Sequence, residues 1–201
     1  MAPRSIEMGM VYGVPIYVAS SSKTGPGTLI DEGAVMSERV GETRNRVRSV
    51  ATDGQVAKIT VLGIPDRPGG AAEVFEPLAD ADISVDVIVQ SAVVDGRADL
   101  TFTVAKADLS RAEVVVRGKI ESLGATGLST ADDLAKVSIV GTGMQDAPGY
   151  ASRMFGALSS AGINIDVITT SEIRITCVIP ESRLGDAARA LHKTFLVEST
   201  G

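Results

Sequence analysis

Apolar positions along the chain switch between the periods of strands and helices, and the same succession occurs twice. The β-branched runs AKITVLGI (57–64) and AKVSIVG (135–141) each end in Gly and predict buried strands. Each run is followed by a Pro-Gly pair, and the apolar residues after that pair fall at helical spacing. The pattern therefore predicts a strand, a tight turn and an amphipathic helix, made twice.

The two copies align without gaps at an offset of 80 residues. Segments 66–91 and 146–171 share 12 of 26 residues, including the Asp-x-Pro-Gly turn and the Asp-Val-Ile of the next strand. Average amino-acid usage would give only about one or two such matches by chance. We interpret the chain as an internal duplication.

Two further strands and a closing helix complete each copy. The strands are expected at 83–90 and 98–105 in the first copy and at 163–170 and 172–179 in the second, and the Asp95-Gly96 pair signals a hairpin. Closing helices are expected over roughly 108–122 and 182–193. The order β-α-β-β-α-β predicts an α+β protein of two ferredoxin-like modules, with helices on one face of antiparallel sheets. Pro77 is expected to kink or shorten the first helix.

The strand count at the ends leaves the module boundaries open. Residues 47–63 have the pattern of two strands around Asp53-Gly54, so that one strand precedes the first copy. The early strand around 47–52 then pairs with one module, while 126–130 or the C-terminal segment serves the other. Interleaving of the two modules is thus one of the arrangements that the sequence allows.

Composition excludes several classes of protein. The formal net charge is −6 and no block of Lys and Arg occurs, so we expect no nucleic-acid partner. One cysteine, Cys177, excludes an internal disulfide framework and fits a reducing, cytoplasmic compartment. No apolar run approaches the ~20 residues of a membrane helix and no signal peptide is recognisable, so we expect no membrane association.

The motifs of common enzymes are incomplete. IVGTGMQD (139–146) places Asp146 where a dinucleotide loop needs its third glycine, and SSSKTGPG (20–27) lacks the framework of a phosphate loop. His192 is expected on the surface of the last helix and Cys177 in the core, which leaves no triad or metal cluster. We therefore expect no catalytic residue, no metal and no cofactor.

Several of these motifs together resemble the tandem ACT domains of aspartate kinases. The similarity covers about 47–196 and rests on the strand-Asp-x-Pro-Gly units, on VFEPLADADISVDVIVQ and on GINIDVITTSEIRI. Residues 3–30 resemble the closing segment of the kinase catalytic domain, without the ATP-binding lysine and glycines. The resemblance implies 1–46 as a kinase remnant and linker, 47–130 as the first ACT module and 131–201 as the second.

By resemblance, such a chain is a regulatory (beta) subunit, or a region of a longer ATP-dependent kinase, and is not catalytic alone. It binds threonine, lysine or both, and restrains a catalytic (alpha) subunit by feedback inhibition. We expect a homodimer when the chain is isolated. The alternative is a free-standing amino-acid sensor without a kinase partner, against which the segment 3–30 argues.

A free amino acid offers a carboxylate and an ammonium, which helix N-termini and carboxylates respectively suit. The family pattern implies a first effector site at Ile64, Asp66, Pro68, Gly69 and Ala71, with Gln90 nearby, completed by Asn164 and Ile165 across a dimer interface. It implies a second site at Met144, Asp146, Pro148, Gly149, Tyr150 and Ala151, opposed by Ser84, Val85, Asp86, Ser171 and Glu172.

Two departures and several structural readings qualify these sites. Ser91 stands where the family often has Asn, and the bulky Tyr150 argues against ligand binding at the second site. Asp66 and Asp146 can equally serve as helix caps, and the glycines can serve turns alone.

Overall fold

The computed structural model describes residues 14–19, 28–30, 47–142, 144 and 148–197. The chain divides into two units, Met1–Arg44 and Asn45–Gly201. In the first unit, strands β1 (Ile16–Val18) and β2 (Thr28–Ile30) pair in antiparallel fashion, with Ile16 opposite Ile30. The remainder of the predicted kinase remnant lies outside the described residues.

The second unit is one antiparallel sheet of six strands with its helices. In chain order its elements are β3 (Val47–Pro65), α1 (Gly70–Asp80), β4 (Val85–Gln90), β5 (Arg97–Ala105), α2 (Leu109–Arg117), α3 (Ile120–Leu123), β6 (Gly127–Gly141), α4 (Tyr150–Ser160), β7 (Val167–Ser171), β8 (Arg174–Pro180) and α5 (Leu184–His192). The strand order is β4-β5-β3-β6-β8-β7, so that β4 and β7 form the two edges. No helix in these described ranges has the length and apolar character needed to cross a membrane.

The long central strands β3 and β6 are shared between the two modules. The first half of β3 pairs with the second half of β6, with Ala51 opposite Ser138 and Asp53 opposite Lys136. The second half of β3 pairs with the first half of β6, with Ile59 opposite Thr130. Each module therefore has four strands, three of which come from its own copy of the repeat. The fourth strand is the first half of β6 in the first module and the first half of β3 in the second module. This is the interleaved form of the ferredoxin-like arrangement.

Each module has its own hydrophobic core between its helices and its part of the sheet. The first core contains fully buried side chains from its helices and from β3 and β5, among them Ile59, Phe102, Leu78 and Val116. The second core is equivalent and includes Ile139, Met154, Leu158, Leu191 and Phe195. Burying a side chain of this size stabilises the fold by about 1.5–3 kcal/mol. Because the buried side chains hold each helix against the sheet, they also fix where α1 and α4 begin.

Several local predictions are confirmed and others are wrong. The Asp95-Gly96 hairpin is confirmed, because both residues have positive φ (51° and 71°) and Val94 pairs with Arg97. The predicted break at Asp53-Gly54 is wrong: β3 runs through it as one strand of 19 residues with bulges. Pro77 does not shorten α1, which has 11 residues like its counterpart α4.

The remaining differences concern element ends. The segment expected as a helix over 108–122 is divided into α2 and α3 around Gly118, and the last helix is α5 followed by a π-helical turn, Lys193–Val197. Strands β4 and β7 begin two and four residues later than expected, at Val85 and Val167. The residues before them are therefore loop, which affects how the predicted site residues are placed.

Candidate functional site

The first Pro-Gly turn leads from β3 into the N-terminus of α1. Gly69 has φ +94°, a left-handed conformation that side chains rarely adopt, and its carbonyl accepts a hydrogen bond from the Glu73 N–H at 3.0 Å. The Asp66 N–H is bonded to the Gly96 carbonyl at 2.8 Å, which ties the turn to the β4–β5 hairpin. No side chain of the described chain caps this helix, so Asp66 is not its cap. The Gly70 N–H is bonded to the Arg67 carbonyl at 3.4 Å, and the amides that follow it in the first turn of α1 keep their capacity to bind an anion.

A small, open pocket lies at this turn. The pocket brings together four residues of the predicted first site, Ile64, Asp66, Ala71 and Gln90, beside the turn that contains Pro68 and Gly69. Its other lining residues were not predicted: Pro65, Arg67, Gly70, Ala98 and Leu100. The pocket thus has an apolar floor and a polar rim, as small-ligand sites usually have.

Charges are arranged asymmetrically around the pocket. The Arg67 guanidinium donates two hydrogen bonds to the Glu73 carboxylate, at 2.6 and 2.8 Å. This bidentate pairing raises the pKa of Arg67 and lowers the pKa of Glu73. The exposed Asp66 carboxylate, in contrast, has no hydrogen bond or ion pair with any described residue. An unengaged carboxylate beside free helix amides can hold an ammonium and a carboxylate together.

Asn164 and Ile165 do not line this pocket within one chain. They lie in the loop before β7, where Asn164 is exposed and Ile165 packs partly against the second core. The Asp166 N–H fixes the end of this loop by a 2.8 Å hydrogen bond to the Val178 carbonyl. Their predicted contribution to the first site would need a second chain, and it stays a prediction.

The second Pro-Gly pair has a similar backbone conformation at its glycine, but a different side chain follows it. Gly149 has φ +105°, close to the value at Gly69, and it starts α4 without a side-chain cap. Tyr150 occupies the position of Gly70, and its ring is buried and stacked on Phe195 with the centroids 6.2 Å apart. Met144 is buried in the same core, and Ala151 packs against it. Asp146 lies outside the described residues.

The predicted opposing wall of the second site lies on an open groove between the modules. Asp86 and Ser171 line this groove together with Thr169, Arg174 and Thr176. Ser84 and Val85 line an adjoining open space. Glu172 is exposed in the turn between β7 and β8. The structure therefore brings Asp86 and Ser171 together, but Met144 and Tyr150 are core residues rather than lining of this groove.

Two residues considered for chemistry have structural positions. Cys177 is fully buried in the second core, and burial raises the pKa of its thiol to about 12. His192 is exposed at the end of α5, as expected. Across the described ranges, no three His, Cys, Asp or Glu side chains are grouped so as to hold a metal ion.

Sequence reasoning identified Tyr150 as a departure at the second turn but missed its counterpart Gly70 at the first. Gly70 lines the first pocket, while the equivalent Tyr150 fills the second core. The signal was present in the repeat alignment, where these two residues follow the shared Pro-Gly and differ most in volume. Arg67 could have been found in the same way, since its counterpart is Ala147.

The comparisons with known proteins agree with this architecture. Models of the ACT domain match residues 58–117 and 137–195. Aspartokinase from Corynebacterium glutamicum is 44 % identical over 195 residues, which cover 96 % of this chain and 45 % of that protein. The chain thus spans less than half the length of this curated relative.

Solved structures that match most of this chain extend the agreement to the fold. The regulatory subunit of aspartate kinase from Thermus thermophilus, in its ligand-free form, has a TM-score of 0.71 and 40 % identity, covering 75 % of this chain and 99 % of that one. A crystal structure of aspartokinase alpha and beta subunits contains a chain with a TM-score of 0.70 and 39 % identity, covering 74 % and 98 %.

Proposed function

Because the chain belongs to the tandem ACT-domain family of aspartate kinase regulatory regions, we propose that it is the amino-acid sensor of an aspartate kinase. It binds threonine, lysine or both at the pocket of the first Pro-Gly turn and transmits feedback inhibition to a catalytic chain. It has no catalytic role by itself, and its expected location is the cytoplasm. The observation that carries this proposal is the pocket beside the uncapped N-terminus of α1.

The chemistry of the pocket fits the constant part of an amino acid. The α-carboxylate lies against the first amides of α1, where the helix dipole and unpaired N–H groups favour an anion. The ammonium lies against the Asp66 carboxylate, which no described residue engages. Gln90, on the rim, offers both a donor and an acceptor to the side-chain hydroxyl of threonine or to the amine of lysine. The small Gly70 and Ala71 leave room for the ligand.

A homodimer completes the site in this proposal. The edge strands β4 and β7 carry exposed apolar side chains, with Ile88 49 % and Ile168 45 % exposed. Unpaired edge strands with such side chains are suited to pairing with another chain. Pairing β4 of one chain with β7 of its partner covers both, and it places Asn164 and Ile165 of the partner beside the first pocket.

The first turn is the main site and the second is not equivalent to it. Tyr150 fills the space that Gly70 leaves open, so the second turn keeps the left-handed glycine without the same pocket. This difference supports one effector per chain at the first turn.

Calorimetric titration with L-threonine and L-lysine, separately and together, tests the proposal. Asp66→Asn should weaken binding at least tenfold, as expected when a charge-assisted hydrogen bond of about 1.5–3 kcal/mol is lost. Asp80→Asn, an exposed carboxylate in the last turn of the same helix, is the matched control and should bind like the wild type. Asn164→Ala tests the contribution of the partner chain. Wild-type affinity in Asp66→Asn would place the ligand elsewhere.

Co-purification separates the regulatory subunit from the free-standing sensor. The regulatory role is supported if the tagged protein retains a catalytic chain of aspartate kinase and if the kinase activity falls when threonine or lysine is added. A protein that binds threonine or lysine but retains no kinase chain and changes no kinase activity would favour the second.

A further inference from the structure

Two ion pairs join the modules in a reciprocal pattern. Lys58 in β3 donates to Asp166, just before β7, with Nζ 2.6 Å from Oδ2. Lys136 in β6 donates to Asp86 in β4, with Nζ 2.5 Å from Oδ2, and also lies 3.2 Å from Asp53. Lys58 and Lys136 are equivalent in the repeat, each following Ala in the first strand of its copy, and Asp86 and Asp166 are equivalent too.

Each lysine therefore reaches the aspartate of the other module and not that of its own. A third pair lies between equivalent positions, since Lys106 and Glu181 are each the first residue after the third strand of their modules, 2.8 Å apart. This arrangement is what a pseudo-twofold relation between the modules produces: two crossed pairs and one pair near the axis. The lysines are the more enclosed partners, with 21 % and 17 % of their side chains exposed.

The crossed aspartates follow directly on the predicted effector walls. Asp166 comes immediately after Asn164 and Ile165, and Asp86 immediately after Ser84 and Val85. Lys58 lies in the strand that continues to Ile64 and Asp66 at the first pocket. One ion pair thus links, within one chain, the strand that leads to the pocket and the loop that is expected to close the pocket of a partner.

We propose that Lys58 and Lys136 are positioning residues that each hold a segment of the opposite module: Lys58 holds 163–168 in place for effector binding, and Lys136 holds the equivalent segment 83–88. The inference rests on the proposed function, because its consequence is effector affinity. Lys58 in the first module then acts on the loop of the second module. Occupancy of the first pocket in one chain is thereby coupled to the loop that closes the first pocket of its partner.

Hydrogen exchange tests the crossed connection without any ligand. Lys58→Met should speed exchange about fivefold in 163–168 and leave 83–88 unchanged, as the loss of one partly exposed ion pair predicts. Lys136→Met should do the reverse. Lys58→Arg, which keeps the charge, should show wild-type exchange. If only the size of the side chain mattered, Lys58→Met would show wild-type exchange as well. If Lys58→Met fails to fold, Asp166→Asn removes the same pair from its more exposed side.

Arg117→Met is the matched control, because Arg117 pairs with Glu113 within α2 and crosses no module boundary. It should leave both wall segments unchanged. Exchange that rises only in the mutated module, or in neither, would overturn the proposal.

Titration with L-threonine and L-lysine then tests the functional half. Lys58→Met and Asp166→Asn should each weaken effector binding about fivefold, and the double variant no more than either alone. Unchanged affinity together with crossed exchange would overturn the positioning role. If the wild type binds neither amino acid, the proposed function fails, and the exchange pattern still decides whether the modules are connected in this way.

Discussion

Substituting alanine at Gly69 and at Gly149 separates the structural role of the Pro-Gly turns from their role in binding. Both glycines have left-handed φ values, +94° and +105°. A Cβ at Gly69 would meet only Glu73 Oε1, at 3.9 Å, and a Cβ at Gly149 would meet nothing within 4 Å. The substitutions therefore cause no collision, and their cost is the backbone conformation alone, about 1–2 kcal/mol each.

Thermal and urea unfolding followed by circular dichroism measure that cost. We expect the two variants to lose similar stability, with the melting temperature lower by about 2–4 °C for each kcal/mol in a unit of this size. Unchanged stability in both would mean that the turns do not need the left-handed conformation, and the account of both turns would then be wrong.

Titration with threonine and lysine distinguishes the two turns. Gly69→Ala should weaken binding, because a shift of the turn moves the first amides of α1 at the pocket. Gly149→Ala should bind like the wild type, because Tyr150 fills the corresponding space. Equal effects on binding in the two variants would refute the assignment of the effector to the first turn.

Three further predictions concern the second module and its ion pairs. Cys177, buried and with its thiol pKa raised to about 12, should not react with Ellman's reagent at pH 8 until the protein unfolds; rapid reaction of the native protein would contradict its position. Tyr150→Ala should destabilise the fold by about 3 kcal/mol in urea unfolding, through a cavity beside Phe195, and leave effector affinity unchanged. Burial alone would lower the pKa of Lys136, but the hydrogen bonds and charges of Asp86 and Asp53 outweigh it and raise that pKa above 10.5. Its contribution to stability is then complete below pH 10.5 and is lost as the pH rises through the raised pKa, so the wild type should lose more stability than Lys136→Met as the pH rises above 10.5.

The fold could be predicted from the sequence because the duplication shows each element twice. The second copy could also have corrected the expectation for Pro77, because it has the same helix without a proline and both helices have 11 residues. Pro77 lies in the C-terminal part of α1. Its missing N–H removes one backbone hydrogen bond, and only a few helical residues follow it.

The continuity of β3 could not be predicted in this way. Asp53-Gly54 is a strong local signal for a turn, but both halves of β3 find partners in β6, and the ladder across 47–62 outweighs the local preference. Local patterns carry no information about such a long-range partner, so a strand shared by two modules has the appearance of two strands.

The candidate site was predicted in part. The Pro-Gly turn fixes Asp66, Gly69 and Ala71 from the sequence, whereas the pocket floor of Ala98 and Leu100 comes from β5, which only the sheet order places there. The crossed Lys58–Asp166 pair spans 108 residues, and neither residue has a local pattern that distinguishes it from a solvated charge.

A crystal structure grown with saturating threonine and lysine tests the central claim most directly. The account predicts an amino acid in the first pocket, with its carboxylate on the first-turn amides of α1 that follow Gly70 and its ammonium on the Asp66 carboxylate. A structure in which this pocket is empty, or closed by neighbouring side chains, while both amino acids are present in excess, would contradict it.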